Sequence, residues 1–278
     1  MFIWINGEVI AAELARVSPL DHGLTVGDGV FETLRVYDGV PFAWTRHLDR
    51  MERSAIGLGI TPPDRNALRR GAAAVLEANE LDNARLRLTC TSGMGPPGSQ
   101  RGDGPALLVA VAVPLTPPEA FVDVVTVPWT RNERGALAGI KTTSYGENVR
   151  ALAYAFERDA HEAIFANTRG ELCEGSSSNV FLVRSGVLHT PPVSSGCLAG
   201  VTRALVIELC AQAGITYAES ELPLAALAAA DEAFITSSPR EVVAIRKVDG
   251  RLLPSALGPV TVELAARYRN LVETTPDP

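Results

Sequence analysis

Hydrophobic periodicity in this chain switches repeatedly between two residues and about 3.6, never in a regular strand–helix–strand order. Such a mixture argues for α+β layers in two lobes and against a doubly wound sheet. Asn6-Gly7 is a turn pair, so residues 2–6 and 8–11 read as a hairpin. A Gly-rich stretch from Gly23 to Gly29 leads into an apolar strand over 30–37, and Asp38-Gly39 turns the chain back. From His47 onward Leu48, Met51, Ala55 and Leu58 recur at helical spacing. Pro62-Pro63-Asp64 then opens a second helix through Leu68, Ala72, Val75 and Leu76. Residues 85–91 alternate as a strand, and 106–113 read as a buried one. The stretch Pro114-Leu115-Thr116-Pro117-Pro118 reads as a linker. The expected domains are therefore 1–113 and 121–278, joined by 114–120. The second half offers strands at 121–128, 163–166, 171–173, 179–183 and 232–237, and a loop through Arg131 and Arg134. A helix is expected from near Glu147 to about His161, with Val149, Leu152 and Phe156 on one face. Further helices are expected from Gly200 to near Gly214 and over about 259–272, with a hairpin at Asp249-Gly250.

Composition narrows the function classes. The 278 residues are 46% hydrophobic and 21% charged, enough for two packed domains. A net charge of -7 and a pI near 5.2, with no basic stripe, argue against nucleic acid as a partner. No apolar run reaches the roughly 18 residues that span a bilayer. Met1 to Gly7 reads as strand and turn without a basic leader, so a cytoplasmic protein with no membrane partner is expected. Cys90, Cys173, Cys197 and Cys210 form no C-x-x-C pair and are expected to be free thiols. His22, His47, His161 and His189 stand alone, and no metal site is expected.

One count says more. Of 25 basic residues only Lys141 and Lys247 are lysines. Where arginine serves almost every need for positive charge, a remaining lysine points to a need for an amine. Arginine stays protonated and cannot form a Schiff base, whereas lysine can. Lys247 sits beside the Asp249-Gly250 turn and reads as a solvated surface charge. Lys141 follows Ala136-Leu137-Ala138-Gly139-Ile140 and precedes Thr142-Thr143-Ser144-Tyr145. Such surroundings can lower an amine's pKa and make it a nucleophile or base; a surface or structural lysine is the alternative.

Three further segments could carry chemistry. Glu174-Gly175-Ser176-Ser177-Ser178-Asn179 puts an acid before small polar residues that enter a strand; it is either a plain turn or a carboxylate aimed at a positive group. Gly200-Val201-Thr202 opens a helix, where free amides favour a phosphate. Thr236-Ser237-Ser238-Pro239-Arg240 sets hydroxyls at a strand end. Gly93-Met94-Gly95-Pro96-Pro97-Gly98 matches the dinucleotide-binding G-x-G-x-x-G literally. Its adjacent prolines cannot open a helix on a pyrophosphate, so it reads as a mobile loop. One amine, one carboxylate and two or three phosphate-binding elements are the parts a pyridoxal-phosphate site needs.

In this order and spacing the segments resemble the class IV, or fold type IV, aminotransferases along nearly the whole chain. Gly27-Asp28-Gly29-Val30-Phe31-Glu32 is similar to the family's N-terminal signature, and His47-Leu48-Asp49-Arg50 resembles its H-x-x-R element. The resemblance implies a small N-terminal α/β domain and a larger C-terminal domain with a barrel-like sheet. It implies pyridoxal 5'-phosphate as cofactor and a homodimer as the working form. It makes Lys141 the catalytic Schiff-base lysine and Glu174, 33 residues later, the acid facing the pyridine nitrogen. Arg50, Gly200, Val201, Thr202, Ser237 and Ser238 become phosphate contacts, and Tyr145 a partner of the ring's phenolic oxygen.

For the substrate, several relatives carry an arginine just before the glycine of the loop after strand 85–91. This chain has Ser92 there. Arg87, Arg131, Arg134 or Arg101 could bind a carboxylate by two-point contact instead. Phe31 stands where D-amino acid enzymes have tyrosine, which makes the pocket less polar and admits amines lacking a carboxylate. The reading is transamination between D-amino acids, extending to R-amines, and 2-oxo acids. A lyase releasing pyruvate and 4-aminobenzoate from 4-amino-4-deoxychorismate is the alternative, and a branched-chain L-amino acid aminotransferase is third.

Overall fold

The computed structural model describes residues 1–115 and 119–278. Residues 116–118 of the expected linker lie outside the described residues. The chain divides into two compact units. One comprises Met1–Thr116, Ile140–Tyr145 and Pro276–Pro278, and the other Pro117–Gly139 and Gly146–Thr275. The sequence reading assigned Lys141 to the second domain; its segment packs in the first unit.

The first unit is built from β1 (Phe2–Ile5), β2 (Glu8–Ala11), α1 (His22–Thr25), β3 (Gly29–Tyr37), β4 (Val40–Pro41), α2 (Trp44–Leu58), α3 (Arg65–Ala78), β5 (Ala84–Thr91) and β6 (Leu108–Pro114). Its six strands form an antiparallel sheet in the order β2-β1-β6-β5-β3-β4. Asn6 and Gly7 both have positive φ, as a tight hairpin turn requires. Period-two alternation sorts β5 cleanly: Leu86, Leu88 and Cys90 are buried, while Arg85 and Arg87 point to the other face. The buried face carries α2 and α3, whose Leu48, Met51, Leu68 and Val75 complete the core. Gly71 in α3 is the point of closest approach, since a Cβ there would lie 2.5 Å from the Trp4 ring.

Ile140–Tyr145 runs along the edge of this sheet. The Phe31 amide donates to the Lys141 carbonyl (3.1 Å), and the Thr143 amide donates to the Gly29 carbonyl (2.8 Å). The Lys141 amide donates to Ser54 Oγ of α2 at 3.2 Å. These bonds hold the lysine backbone against β3. The Gly93–Gly98 stretch is a loop and opens no helix. It is held in place, with the His22 amide bonded to the Gly93 carbonyl and the Gly95 amide to the Leu20 carbonyl.

The second unit holds β7 (Phe121–Arg131), α4 (Gly146–Phe156), β8 (Glu162–Asn167), β9 (Leu172–Gly175), β10 (Asn179–Arg184), β11 (Val187–Thr190), α5 (Val201–Ala213), β12 (Tyr217–Glu219), β13 (Glu232–Ser237), β14 (Glu241–Val248), β15 (Arg251–Leu252) and α6 (Pro259–Thr274). Its nine-stranded mixed sheet runs β12-β11-β10-β13-β14-β7-β8-β9, with β15 paired to β14. In a flat sheet the five steps from β10 to β9 would span about 24 Å. Yet β9 and β10 are joined by Ser176–Ser178 alone, and four extended residue steps reach only about 14 Å. The sheet must therefore curl back on itself, as the barrel-like expectation required. The curl sets Glu174 of β9 close to the start of β10.

Two expectations change here. Helix α4 ends at Phe156, five residues before the expected stop, because the chain turns through Asp159 at φ 53°. Its buried face is Ala151 and Ala155, while Val149 and Phe156 are 66% and 62% exposed. Small residues let α4 sit close to β7 and β8, and the larger apolar ones point outward. Arg131, expected in a loop, is the last residue of β7. The four cysteines are free and buried. Among the described residues, no helix is long and apolar enough to cross a membrane.

Candidate active site

The candidate residues fall into two groups, one on each unit. In the first, Lys141 Nζ donates to the Tyr145 hydroxyl at 3.2 Å and lies 4.4 Å from the centre of the Phe31 ring. The Phe31 and Tyr145 rings meet edge to face at 5.0 Å. Phe31 and Arg87 lie on the same face of adjacent strands, with Phe31 opposite Thr89 and Thr33 opposite Arg87 in the register. The Arg87 guanidinium accordingly stacks over the Phe31 ring at 3.7 Å. Lost hydration pulls the Arg87 pKa down, and Tyr145 opposes this. Its recorded polar contact is with Thr89 Oγ1 (3.3 Å), and no carboxylate pairs with it among the described residues. Arg87 is exposed, and a cation with no protein carboxylate on it among the described residues can take a substrate anion.

Glu32, Arg50 and His47 belong to the same unit. Arg50 donates Nε and Nη2 to the two Glu32 oxygens (2.7 and 2.6 Å), and His47 Nδ1 lies 2.7 Å from the same carboxylate. Glu32 is fully buried. Burial alone would raise its pKa, but the charge and hydrogen bonds of Arg50, helped by His47, bring it to about 2. The fork fixes Arg50 in one pose. The sequence put Glu32 at the end of a signature, and its role as the anchor of Arg50 became visible only when α2 packed on β3.

In the second unit Glu174 Oε2 accepts from the Leu198 amide at 2.8 Å. Its Oε1 lies 3.2 Å from Arg131 Nε, an ion pair whose N–H is not aimed as a hydrogen bond. Arg131 also donates to Glu147 (3.0 Å) and stacks on Phe165 at 4.4 Å. It is thus engaged with protein carboxylates, unlike Arg87. Arg101 is likewise taken, by Asp28 and the carbonyls of Leu58 and Gly59.

Gly200 caps α5 without a side-chain bond; a Cβ there would sit 2.0 Å from Asn179 Oδ1. Only glycine lets the helix start come this close to β10. Asn179 pairs with Thr236 in the register and donates to the Leu198 carbonyl at 2.8 Å. The hydroxyls of Thr202 and Thr236 are buried and have no hydrogen-bond partner among the described residues. Orphaned hydroxyls are rare. Beside the unpaired first amides of a helix they suit a tetrahedral oxyanion. Ser237 Oγ accepts from the Arg240 amide at 3.3 Å, and Ser238 is half-buried. The residues present fit a phosphorylated cofactor carried on an amine. Thr236 was read only as part of a hydroxyl run, and its strand pairing with Asn179 is what singles it out.

A small α/β unit that holds the amine and a second unit with a curled mixed sheet define the fold type IV architecture. The class IV amino-transferase family matches residues 29–248, and the chain belongs to that family. Its cofactor is pyridoxal 5'-phosphate. A protein of Methanocaldococcus jannaschii, provisionally named a branched-chain-amino-acid aminotransferase, is 35% identical over 98% of this chain and 96% of its own. D-alanine aminotransferase of Bacillus licheniformis is 32% identical over 98% and 97%. The crystal structure of branched-chain aminotransferase from Thermoproteus uzoniensis matches with a TM-score of 0.91 at 31% identity, covering 98% of this chain and 94% of that one.

Proposed function

We propose that the protein is a transaminase that moves an amino group between D-amino acids and 2-oxo acids, with R-amines as secondary donors. The observation that carries this reading is Arg87: a cation with no carboxylate partner among the described residues, stacked on the ring that Lys141 also touches. The likeness to D-alanine aminotransferase over nearly all of both chains supports the D-configuration. The apolar Phe31 face leaves room for amines without a carboxylate.

When bound, pyridoxal 5'-phosphate supplies an electron sink for the carbanion formed at the substrate's Cα. Lys141 would hold the cofactor, and its amine is the group that would move the proton at the substrate's Cα. Tyr145 orients the Lys141 amine through its hydroxyl. Glu174 presents a fixed negative charge to the ring nitrogen, braced by Arg131 and the Leu198 amide. The Val201 and Thr202 amides, the Thr202 and Thr236 hydroxyls and Ser238 would hold the phosphate, and Arg50 would supply it a guanidinium. Arg87 holds the substrate carboxylate. The protein works in the cytoplasm as a homodimer, and the outward apolar residues Val149 and Phe156 of α4 support a second copy as partner. A monomeric mass by light scattering would remove that part of the reading.

The test is the visible spectrum of the purified holoenzyme. D-alanine should bleach the lysine-linked cofactor band, and Lys141→Ala should lack that band. Arg87→Ala should raise KM for D-alanine by roughly 10–100-fold while affecting R-amines little, the scale of losing a two-point charged contact. A spectrum unmoved by D-alanine but altered by 4-amino-4-deoxychorismate or L-leucine would replace this reading with the lyase or the branched-chain enzyme.

A further inference from the structure

Glu162 opens β8 with its side chain fully buried, and the mechanism above does not use it. Its Oε1 accepts from the Ala163 amide (3.0 Å), the Ser176 amide (3.0 Å) and the Ser176 hydroxyl. Its Oε2 accepts from the Ser177 hydroxyl (3.0 Å), the Ser178 hydroxyl (2.9 Å) and Arg240 Nη2. Arg240 donates to Ser177 Oγ as well, at 2.9 Å. A carboxylate has about four lone-pair sites, so this donor set saturates it. Burying an ion is costly unless it is paired and hydrogen-bonded, and here both conditions are met. Burial pushes the Glu162 pKa up, yet Arg240 and Ser176 hold it below the ordinary carboxylate value.

The residues gathered by Glu162 are the connectors of the second unit's candidate site. Ser176–Ser178 are the link that closes the curled sheet between Glu174 and Asn179. Arg240 ends the turn that begins at Ser237. Gly175 allows the tight closure, since a Cβ there would lie 2.2 Å from Ser178 Oγ. The network continues outward: Asn148 Nδ2 donates to the Ser176 carbonyl, and Asn148 Oδ1 accepts from Arg131, the partner of Glu174.

We propose that Glu162 is a positioning residue for the transamination. Through the three serine hydroxyls and Arg240 it locks the 174–179 segment and the 237–240 turn together, which sets the aim of Glu174 and the grip on the phosphate. This inference rests on the reading that Glu174 and the 237–238 strand end face the cofactor.

Glu162→Gln keeps the shape but turns one acceptor into a donor. Three quantities are measured on the holoenzyme: the rate of cofactor loss on dilution into cofactor-free buffer, kcat against KM for D-alanine, and the unfolding temperature after cofactor removal. The expected result is cofactor loss and kcat each changed about tenfold or more, with KM within a few-fold, because small misplacements of reacting groups cost rate. A Glu162→Gln, Arg240→Gln double variant removes the orphaned cation. It should recover unfolding temperature without recovering retention or kcat. Recovery of all three would show that Glu162 only neutralises Arg240, and the proposal would fall. If Glu162→Gln does not fold, Ser177→Ala with Ser178→Ala withdraws two donors from Oε2. It should shift retention and kcat in the same direction, and no shift would also overturn the proposal. Glu174→Gln separates the two readings. If it slows the half-reaction while Glu162→Gln does not, only the positioning role is lost. If Glu174→Gln changes nothing, the underlying reading fails and takes this one with it.

Discussion

At the scale of single residues, the informative groups are those whose charge is buried on purpose. Glu32 is the clearest. Its pKa of about 2 lies below the ordinary 4.5, so the folded state holds it ionised more strongly than the unfolded chain does. The stabilisation is complete above about pH 4.5 and is lost as pH falls towards 2. A carboxyl brought from 4.5 to about 2 corresponds to about 3 kcal/mol. Denaturant unfolding over pH 2 to 6 should therefore show a loss of that order on the acid side, and Glu32→Gln should flatten it. Glu32→Gln should also destabilise the protein at neutral pH, because it breaks the buried Arg50–Glu32 fork. An acid limb unchanged by the substitution would mean that other carboxylates control it. Lys141 is a candidate from the residues alone, through the scarcity of lysine and its small, apolar flank. Arg87 was one arginine among several until the β3–β5 register set it on Phe31.

At the scale of elements, most of the periodic segments sit where their patterns put them. Helix α3 starts at the Asp64 cap, whose side chain accepts from the Asn66 amide (2.9 Å), and α5 ends at a left-handed Gly214. The start of α5 shows what local pattern leaves out. Gly200 looked like an ordinary helix opener; its necessity comes from Asn179, a neighbour 21 residues away in sequence. Gly200→Ala should force the first turn of α5 off β10 and speed cofactor loss by roughly tenfold, a misplacement-scale effect. The purified variant's absorbance ratio of cofactor to protein checks this, and an unchanged ratio would remove the helix start from the phosphate site. Short strands such as β11 and β12 were missed because three or four residues carry too little periodicity to declare themselves.

At the scale of the whole molecule, the chain contributes to the first unit three separate times. The last contribution caps a helix. The N-cap of α2 is Ala43, which makes no side-chain cap bond. Asp277 supplies the missing acceptor: the Thr45 amide and hydroxyl donate to its carboxylate at 2.8 and 2.6 Å. The Ala43 amide donates to the Pro276 carbonyl at 2.8 Å, and Arg46 Nε to the Pro278 carbonyl at 2.7 Å. A negative group at a helix N-terminus gains from both the free amides and the dipole. Deleting residues 276–278 should cost about 1 kcal/mol, the usual worth of a cap, and Asp277→Ala should reproduce most of it in equilibrium unfolding. An undiminished midpoint in both would make the tail incidental.

By itself the sequence determined the α+β class and the turn positions, and it singled out Lys141 and Glu174 as the candidate amine and acid. Those follow from local spacing, from residues with special backbone freedom, and from which side chains can do the chemistry. Only the tertiary structure decided that Lys141 belongs with the first sheet, that Arg131 braces Glu174 and that Glu162 gathers the serines and Arg240. Arg240 stands 78 residues from Glu162, and no local period reports such a distance. Strand order and the curl of the second sheet bring these residues together, and those depend on how whole faces bury against one another.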